Sequence, residues 1–170
     1  MKAIYLTGFM GAGKTTIGKS LSDVLTLPVI DTDEFLVEQV GKTIPDIFAE
    51  EGEEIFRQYE RTYLKELPTE DVIITTGGGI IIQEENRSWM NNHGIVFYLY
   101  CDLEEVFARV ATDGSRPLLN DKSKVTHLFT SRLPLYQQAH YTINTTNKKV
   151  EEIVTEIKNT LKILKSGDNE

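Results

Sequence analysis

Residues 8 to 15 read Gly8-Phe9-Met10-Gly11-Ala12-Gly13-Lys14-Thr15, a complete G-x-x-x-x-G-K-[ST] phosphate loop. The glycines let the backbone curl so that successive N–H groups face phosphate oxygens. Gly13 and Lys14 open a helix whose N-terminal dipole favours an anion. Lys14 can reach the β and γ phosphates of a nucleotide, and the Thr15 hydroxyl can ligate Mg²⁺. The motif carries weight only between a strand and a helix. Residues 2–7 (KAIYLT) read as a short buried strand, and Ile17, Leu21, Val24 and Leu25 recur at helical spacing. That setting disfavours the alternative, a glycine-rich turn beside a surface lysine.

Further polar groups follow the later apolar runs. Asp31-Thr32-Asp33 closes the next one. If the chain stays extended, alternation puts both carboxylates on one face, a pair suited to Mg²⁺ ligation and general-base work. The structural alternative is a helix starting near Glu34 and capped by Thr32 or Asp33. Arg57, Glu60 and Arg61 share a helix face. Spacing alone fits an ordinary solvated ion-pair face; the functional reading is an arginine held by Glu60 with its fork toward a substrate carboxylate. Gly77-Gly78-Gly79 follows a third apolar run, more glycine than one turn needs, and allows positive φ and close approach of a ligand. Arg116, within Ser115-Arg116-Pro117-Leu118-Leu119, could close over a transferring phosphoryl group from a flexible loop. Arg109 could stack on a base, and Arg132, one turn before Tyr136, is a second candidate anion clamp. His93, His127 and His140 do not cluster with other ligand types, so no zinc pattern arises. Trp89, Tyr98, Tyr100 and Cys101 read as packing residues.

Strand and helix signals alternate around these groups. Residues 28–31, 72–76 and 95–101 read as strands, and 141–143 as a weaker one. Helical patterns cover 35–40, 53–67, 83–93, 103–111, 124–139 and 150–164. The alternation predicts a parallel sheet with helices on both faces, whose ligands bind beyond the carboxyl ends of the strands. The phosphate loop, the aspartate pair and the three glycines all sit just there. Residues 112–124 (TDGSRPLLNDKSK) form a long polar insert, read as a mobile lid.

The bulk properties bound the function. The 170 residues fit one domain, placed over 1–164 with a polar tail at 165–170. A net charge of -8 argues against a general nucleic-acid binder, so anion specificity rests on local arginines. Only six are present. A lone cysteine excludes an intrachain disulfide and is compatible with a reducing compartment. The apolar run at the N-terminus is broken at once by the phosphate loop, unlike a signal peptide, and no 18-residue apolar stretch exists. The expectation is a cytoplasmic protein with no membrane or nucleic-acid partner, and a monomer.

In order and spacing, the motifs resemble those of shikimate kinases over residues 2–158. The carriers are GFMGAGKTT, IDTDE, the G-E-x-x-F-R-x-x-E stretch from Gly52 to Glu60, glycines 77–79 and the R-P-L-L of the insert. The phosphate loop alone is unspecific; the ordered combination is specific. The resemblance implies a single-domain α/β P-loop kinase fold of the nucleoside-monophosphate-kinase type, with a five-stranded parallel sheet and a lid. It also implies roles. Gly11, Ala12, Gly13, Lys14, Thr15 and Thr16 would hold ATP phosphates, with Mg²⁺ on Thr15 and, through water, Asp31. Asp33 would bind the shikimate hydroxyls and accept the proton of the 3-hydroxyl. Arg57 and Arg132 would clamp the carboxylate, with Gly78 and Gly79 as backbone contacts. Arg116 would meet ATP phosphates from the lid, and Arg109 would lie beside adenine. Residues 144–149 (NTTNKK) depart from the family's Asp- and Pro-containing adenine turn, so no adenine contact is assigned there.

The expected reaction is ATP-dependent phosphorylation of the shikimate 3-hydroxyl, with Lys14, Asp33 and Arg116 as catalytic groups. Phosphoryl transfer needs mainly positioning and electrostatics, so the lack of a covalent nucleophile is no objection. The rivals are a gluconate-type sugar-acid kinase and a non-catalytic nucleotide-binding switch.

Overall fold

The computed structural model describes residues 1–111 and 122–167. Arg116 and the expected lid up to residue 121 lie outside the described residues. The remainder is an α/β fold built on one five-stranded sheet, β1 Ala3–Thr7, β2 Val29–Asp31, β3 Ile73–Thr75, β4 Gly94–Tyr100 and β5 Tyr141–Asn144. The spatial order is β2-β3-β1-β4-β5, and every pairing is parallel. The registers Asp31↔Thr75 and Leu6↔Thr75 bring the carboxyl ends of β2, β3 and β1 level. That levelling gathers at one edge three loops far apart in sequence.

The helices are α1 Lys14–Leu25, α2 Thr32–Val40, α3 Ile44–Glu50, α4 Glu53–Leu64, α5 Glu84–His93, α6 Leu103–Ala111, α7 Lys122–Tyr136 and α8 Val150–Gly167. A single 3₁₀ turn, Ile80–Ile82, follows the three glycines. β1 and β3 are buried along their whole length, as expected for central strands covered on both faces. α1 packs tightly on the sheet: a Cβ at Gly18 would stand 2.6 Å from Thr75 Cγ2. Val24, counted by periodicity with the buried face of α1, is 45% exposed.

The sequence reading passed over α3. Its start signal is nevertheless present: Thr43 caps the helix by accepting the Asp46 N–H at 3.3 Å, and Pro45 sits in the first turn. Leu36, Ile47 and Phe56 form a second, smaller core joining α2, α3 and α4. Apolar packing thereby fixes the two helices that carry Asp33 and Arg57 relative to each other.

The extended reading of Asp31-Thr32-Asp33 is corrected. The strand stops at Asp31, which is the N-cap of α2; its Oδ1 accepts from the Asp33 and Glu34 N–H groups at 2.9 and 3.1 Å. The cap falls on Asp31 rather than on Thr32 or Asp33. α4 ends at Leu64, short of the expected 67, α7 covers 122–136 rather than 124–139, and α8 runs on past Leu164.

Candidate active site

The phosphate loop joins β1 to α1. Gly11 and Gly13 take φ of 75° and 89°, a left-handed conformation that a Cβ would strain. Gly13 is the N-cap of α1 without any side-chain cap, so the first N–H groups of that helix are turned toward the sheet edge. The Lys14 ammonium donates to the Gly8 and Phe9 carbonyls at 2.6 and 3.1 Å, which stations it over the loop. Ala12 is fully buried and its N–H donates to the Phe9 carbonyl at 3.1 Å. Among the loop residues assigned to nucleotide, Ala12 is the one the structure does not bring to the cavity wall.

That wall bounds a cavity of about 370 Å³. Gly11, Gly13, Lys14, Thr15 and Thr16 line one side; Asp31, Asp33 and Gly77–Gly79 line another; Arg109 and Arg132 complete it. Arg57 does not line this cavity; it lies against Gly79 and lines a separate hollow with Arg61 and Ile82.

The three glycines have a geometric explanation. None takes a positive φ, so the expectation of left-handed backbone does not hold. What they supply is room. A Cβ at Gly77 would stand 2.6 Å from Asp33 Oδ1, and one at Gly79 would stand 2.6 and 2.7 Å from the two terminal nitrogens of Arg57. At Gly78 a Cβ would meet Arg132 Nη1 and the Tyr136 hydroxyl, both at 3.6 Å. The loop is therefore a floor on which a carboxylate and two guanidinium groups, from α2, α4 and α7, converge.

The electrostatics suit an anionic, hydroxylated ligand. Arg57 Nη1 donates to Glu60 Oε1 at 2.7 Å, and Nη2 lies 3.4 Å from Glu53 Oε1. This pair is not a solvated helix face: the side chains of Arg57 and Glu60 are 13% and 3% exposed. Burial raises the Glu60 carboxyl above the usual range, Arg57 opposes that rise, and the Asp33 charge adds to it. The Nε groups of Arg57 and Arg132 are buried without a hydrogen-bond partner among the described residues.

The edge of the Arg109 guanidinium is held by neighbouring groups. Its Nη1 donates to the Gly11 carbonyl at 3.1 Å and its Nη2 to the Thr145 carbonyl at 3.3 Å, with Glu105 Oε1 at 3.2 Å. It ties the phosphate loop to the segment after β5. There Glu105 also accepts the Asn147 N–H, so this chain anchors the departing 144–149 segment through a carboxylate.

Sequence reasoning missed the groups that position the floor. Thr32 Oγ1 accepts the Gly77 N–H at 3.0 Å, and Thr75 Oγ1 donates to Asp31 Oδ2 at 2.8 Å. The Tyr136 hydroxyl donates to the Gly78 carbonyl at 2.5 Å. Only Tyr136 had a signal, its one-turn spacing from Arg132; the others depend on pairings 44 and 45 residues apart.

For a divalent cation, the donors are the Thr15 hydroxyl and the Asp31 carboxylate on one cavity wall. Both Asp31 oxygens already accept protein hydrogen bonds. Among the described residues no group of three or more His, Cys, Asp or Glu could hold a metal. This set fits Mg²⁺, which keeps several waters and takes ligands from substrate phosphates, and not a cation needing an all-protein cage.

Residues 10–162 match the family model for shikimate kinase. The shikimate kinase of Bacillus anthracis is 53% identical over 160 residues, covering 93% of this chain and 97% of that one. The shikimate kinase of Enterococcus faecalis is 44% identical over 167 residues, covering 95% and 99%. Among solved structures, shikimate kinase from Acinetobacter baumannii in complex with shikimate superposes with a TM-score of 0.87 at 38% identity, covering 100% of this chain and 96% of that one. A parallel sheet carrying a phosphate loop, an aspartate pair and a glycine floor facing two half-buried arginines, with these likenesses over nearly its whole length, means that the chain belongs to the shikimate kinase family.

Proposed function

We propose that this protein transfers the γ-phosphoryl group of ATP to the 3-hydroxyl of shikimate, giving 3-phosphoshikimate and ADP. The observation that carries the proposal is the glycine floor. Asp33, Arg57 and Arg132 press against three consecutive glycines that line the same cavity as Lys14 and Thr15. A cyclic acid bearing hydroxyls and a carboxylate matches such a floor: the arginine forks take the carboxylate, and Asp33 takes a hydroxyl.

In this reading Asp33 orients the acceptor hydroxyl and accepts its proton as the O–P bond forms and the bond to ADP breaks. Lys14 leaves its own loop carbonyls for the β and γ phosphates and stabilises charge that grows in the transition state. Loop N–H groups, with Gly11, Gly13, Thr15 and Thr16 at the wall, cradle the phosphates. Mg²⁺, when bound, neutralises charge across the β and γ phosphates. Thr15 would ligate it directly and Asp31 through water, since the Asp31 oxygens are already engaged. Gly78 and Gly79 offer backbone contacts to the acid. Arg109 acts at the nucleotide end. Arg116, whose role rests on the family resemblance, meets the transferring phosphoryl group.

Arg57, Arg132, Asp33 and the glycines all come from one chain, so the site needs no second copy, and we propose a monomer. Among the described residues no helix is long and apolar enough to cross a membrane. With a lone, buried thiol at Cys101, we propose a cytoplasmic location. The test is ADP release measured with shikimate, quinate and gluconate in parallel. Release that depends on shikimate supports the proposal. Release driven by gluconate, or independent of any acceptor, overturns it.

A further inference from the structure

We infer that the Tyr136 hydroxyl is a positioning group for shikimate: by holding the Gly78 carbonyl it fixes the peptide plane between Gly78 and Gly79, and so the direction of the Gly79 N–H. The inference rests on the shikimate reading of the site.

A peptide flanked by two glycines has little intrinsic preference, since neither residue carries a Cβ to bias φ or ψ. Something must hold it if its N–H is to point one way. The neighbouring backbone does so incompletely. The Gly77 carbonyl accepts the Ile80 N–H and the Gly79 carbonyl accepts the Ile82 N–H. Neither bond touches the 78–79 peptide itself. Among the described residues, the Gly78 and Gly79 N–H groups donate no hydrogen bond, and the Gly78 carbonyl is held by Tyr136 alone, at 2.5 Å. No peptide in the described chain is cis. In a trans peptide the carbonyl and the N–H point in opposite directions. Fixing the carbonyl toward α7 therefore turns the Gly79 N–H to the other side of the loop.

The phenol is well placed for this work. Tyr136 is 2% exposed. Its ring stacks on Tyr98 of β4, with centroids 4.9 Å apart and planes 7° from parallel, so the hydroxyl is aimed by the sheet and not by a mobile side chain. Arg132 lies one turn earlier on the same helix, with its Nη1 near Gly78. One element thus supplies both a cation for the ligand and the restraint on the loop that meets it. Tyr98 gives an internal control, because its hydroxyl is buried without a partner among the described residues.

The test is Tyr136→Phe, which keeps the ring and its stack and removes the hydroxyl, and with it the bond to the Gly78 carbonyl and the contact with Arg132, with Tyr98→Phe beside it. Shikimate affinity is measured by calorimetric titration without nucleotide, and steady-state constants are measured for both substrates. Tyr136→Phe is expected to raise the shikimate Kd and KM roughly five- to tenfold, the worth of one ordinary hydrogen bond. Its kcat and its KM for ATP should stay within about twofold of wild type, and Tyr98→Phe should match wild type throughout. An unchanged shikimate Kd in folded Tyr136→Phe overturns the inference. So does an equal loss for both substrates, or a variant that does not fold, since either assigns the hydroxyl to the fold. Failure of the wild-type protein to bind shikimate would instead overturn the functional reading, and is seen before any variant is made.

Discussion

Gly79→Ala should weaken shikimate binding while leaving the nucleotide untouched. Gly79 sits at φ −92° and ψ −1°, where alanine fits without backbone strain, so the fold should survive or gain slightly. The methyl group, however, would stand 2.6 and 2.7 Å from the two terminal nitrogens of Arg57 and 3.0 Å from the carbon between them. Contact that close must be relieved, and the backbone floor cannot retreat. The guanidinium must therefore move by roughly 1 Å to restore ordinary contact distances. It cannot do so freely, because Nη1 is bonded to the buried Glu60 at 2.7 Å. A shift of that size removes at least one charge-assisted hydrogen bond to a ligand carboxylate, about 1.5–3 kcal/mol, which is about a tenfold to hundredfold rise in shikimate KM. The assay is coupled ADP release at saturating ATP with shikimate varied, then the reverse. The KM for ATP should hold within about twofold, because the phosphate loop is not touched. A shikimate KM equal to wild type would refute the reasoning, by showing that Arg57 does not reach the ligand from the face of Gly79.

Three further outcomes follow from the same geometry. Asp33→Asn should retain ATP binding and lose kcat by at least about tenfold, since general-base contributions usually exceed that; a smaller loss in steady-state assays would remove Asp33 as the base. Arg57→Lys should raise the shikimate KM and spare the nucleotide, because an ammonium cannot reproduce the two-pronged fork; titrations with each substrate check it. Glu60→Gln tests the balance at the buried pair. Burial raises the Glu60 carboxyl in the folded state, so its contribution to stability is present below its ordinary value of about 4.3 and lost as pH rises through the raised one. The melting temperature of Glu60→Gln relative to wild type should therefore improve as pH is raised from about 4 to 7. A shift the other way would mean that pairing with Arg57 outweighs desolvation.

The chemistry of the phosphate loop was legible from residues 8–15 because every part of it is local. Strand, glycines, lysine and helix start are contiguous, and each imposes its geometry on its neighbours. Alternating strand and helix patterns likewise fixed the parallel sheet, since a parallel pair requires a crossover and the sequence supplies one each time. Local competition limited the rest. Asp31-Thr32-Asp33 can continue a strand or cap a helix with the same residues, and the N–H groups of Asp33 and Glu34 settled it. α3 escaped notice because it is short and its apolar residues, Ile44, Ile47 and Phe48, make sense only against Leu36 and Phe56. The role of Arg57 was undecidable from spacing: a solvated ion pair and a buried clamp share one i, i+3 pattern, and only packing distinguishes them. The three glycines pointed to close approach, but what approaches them comes from α2, α4 and α7. Residues 33, 57 and 132 meet there because the strand ends are level and apolar packing holds the helices over them. Such a meeting depends on how the elements pack in three dimensions, and no local pattern along the chain encodes it.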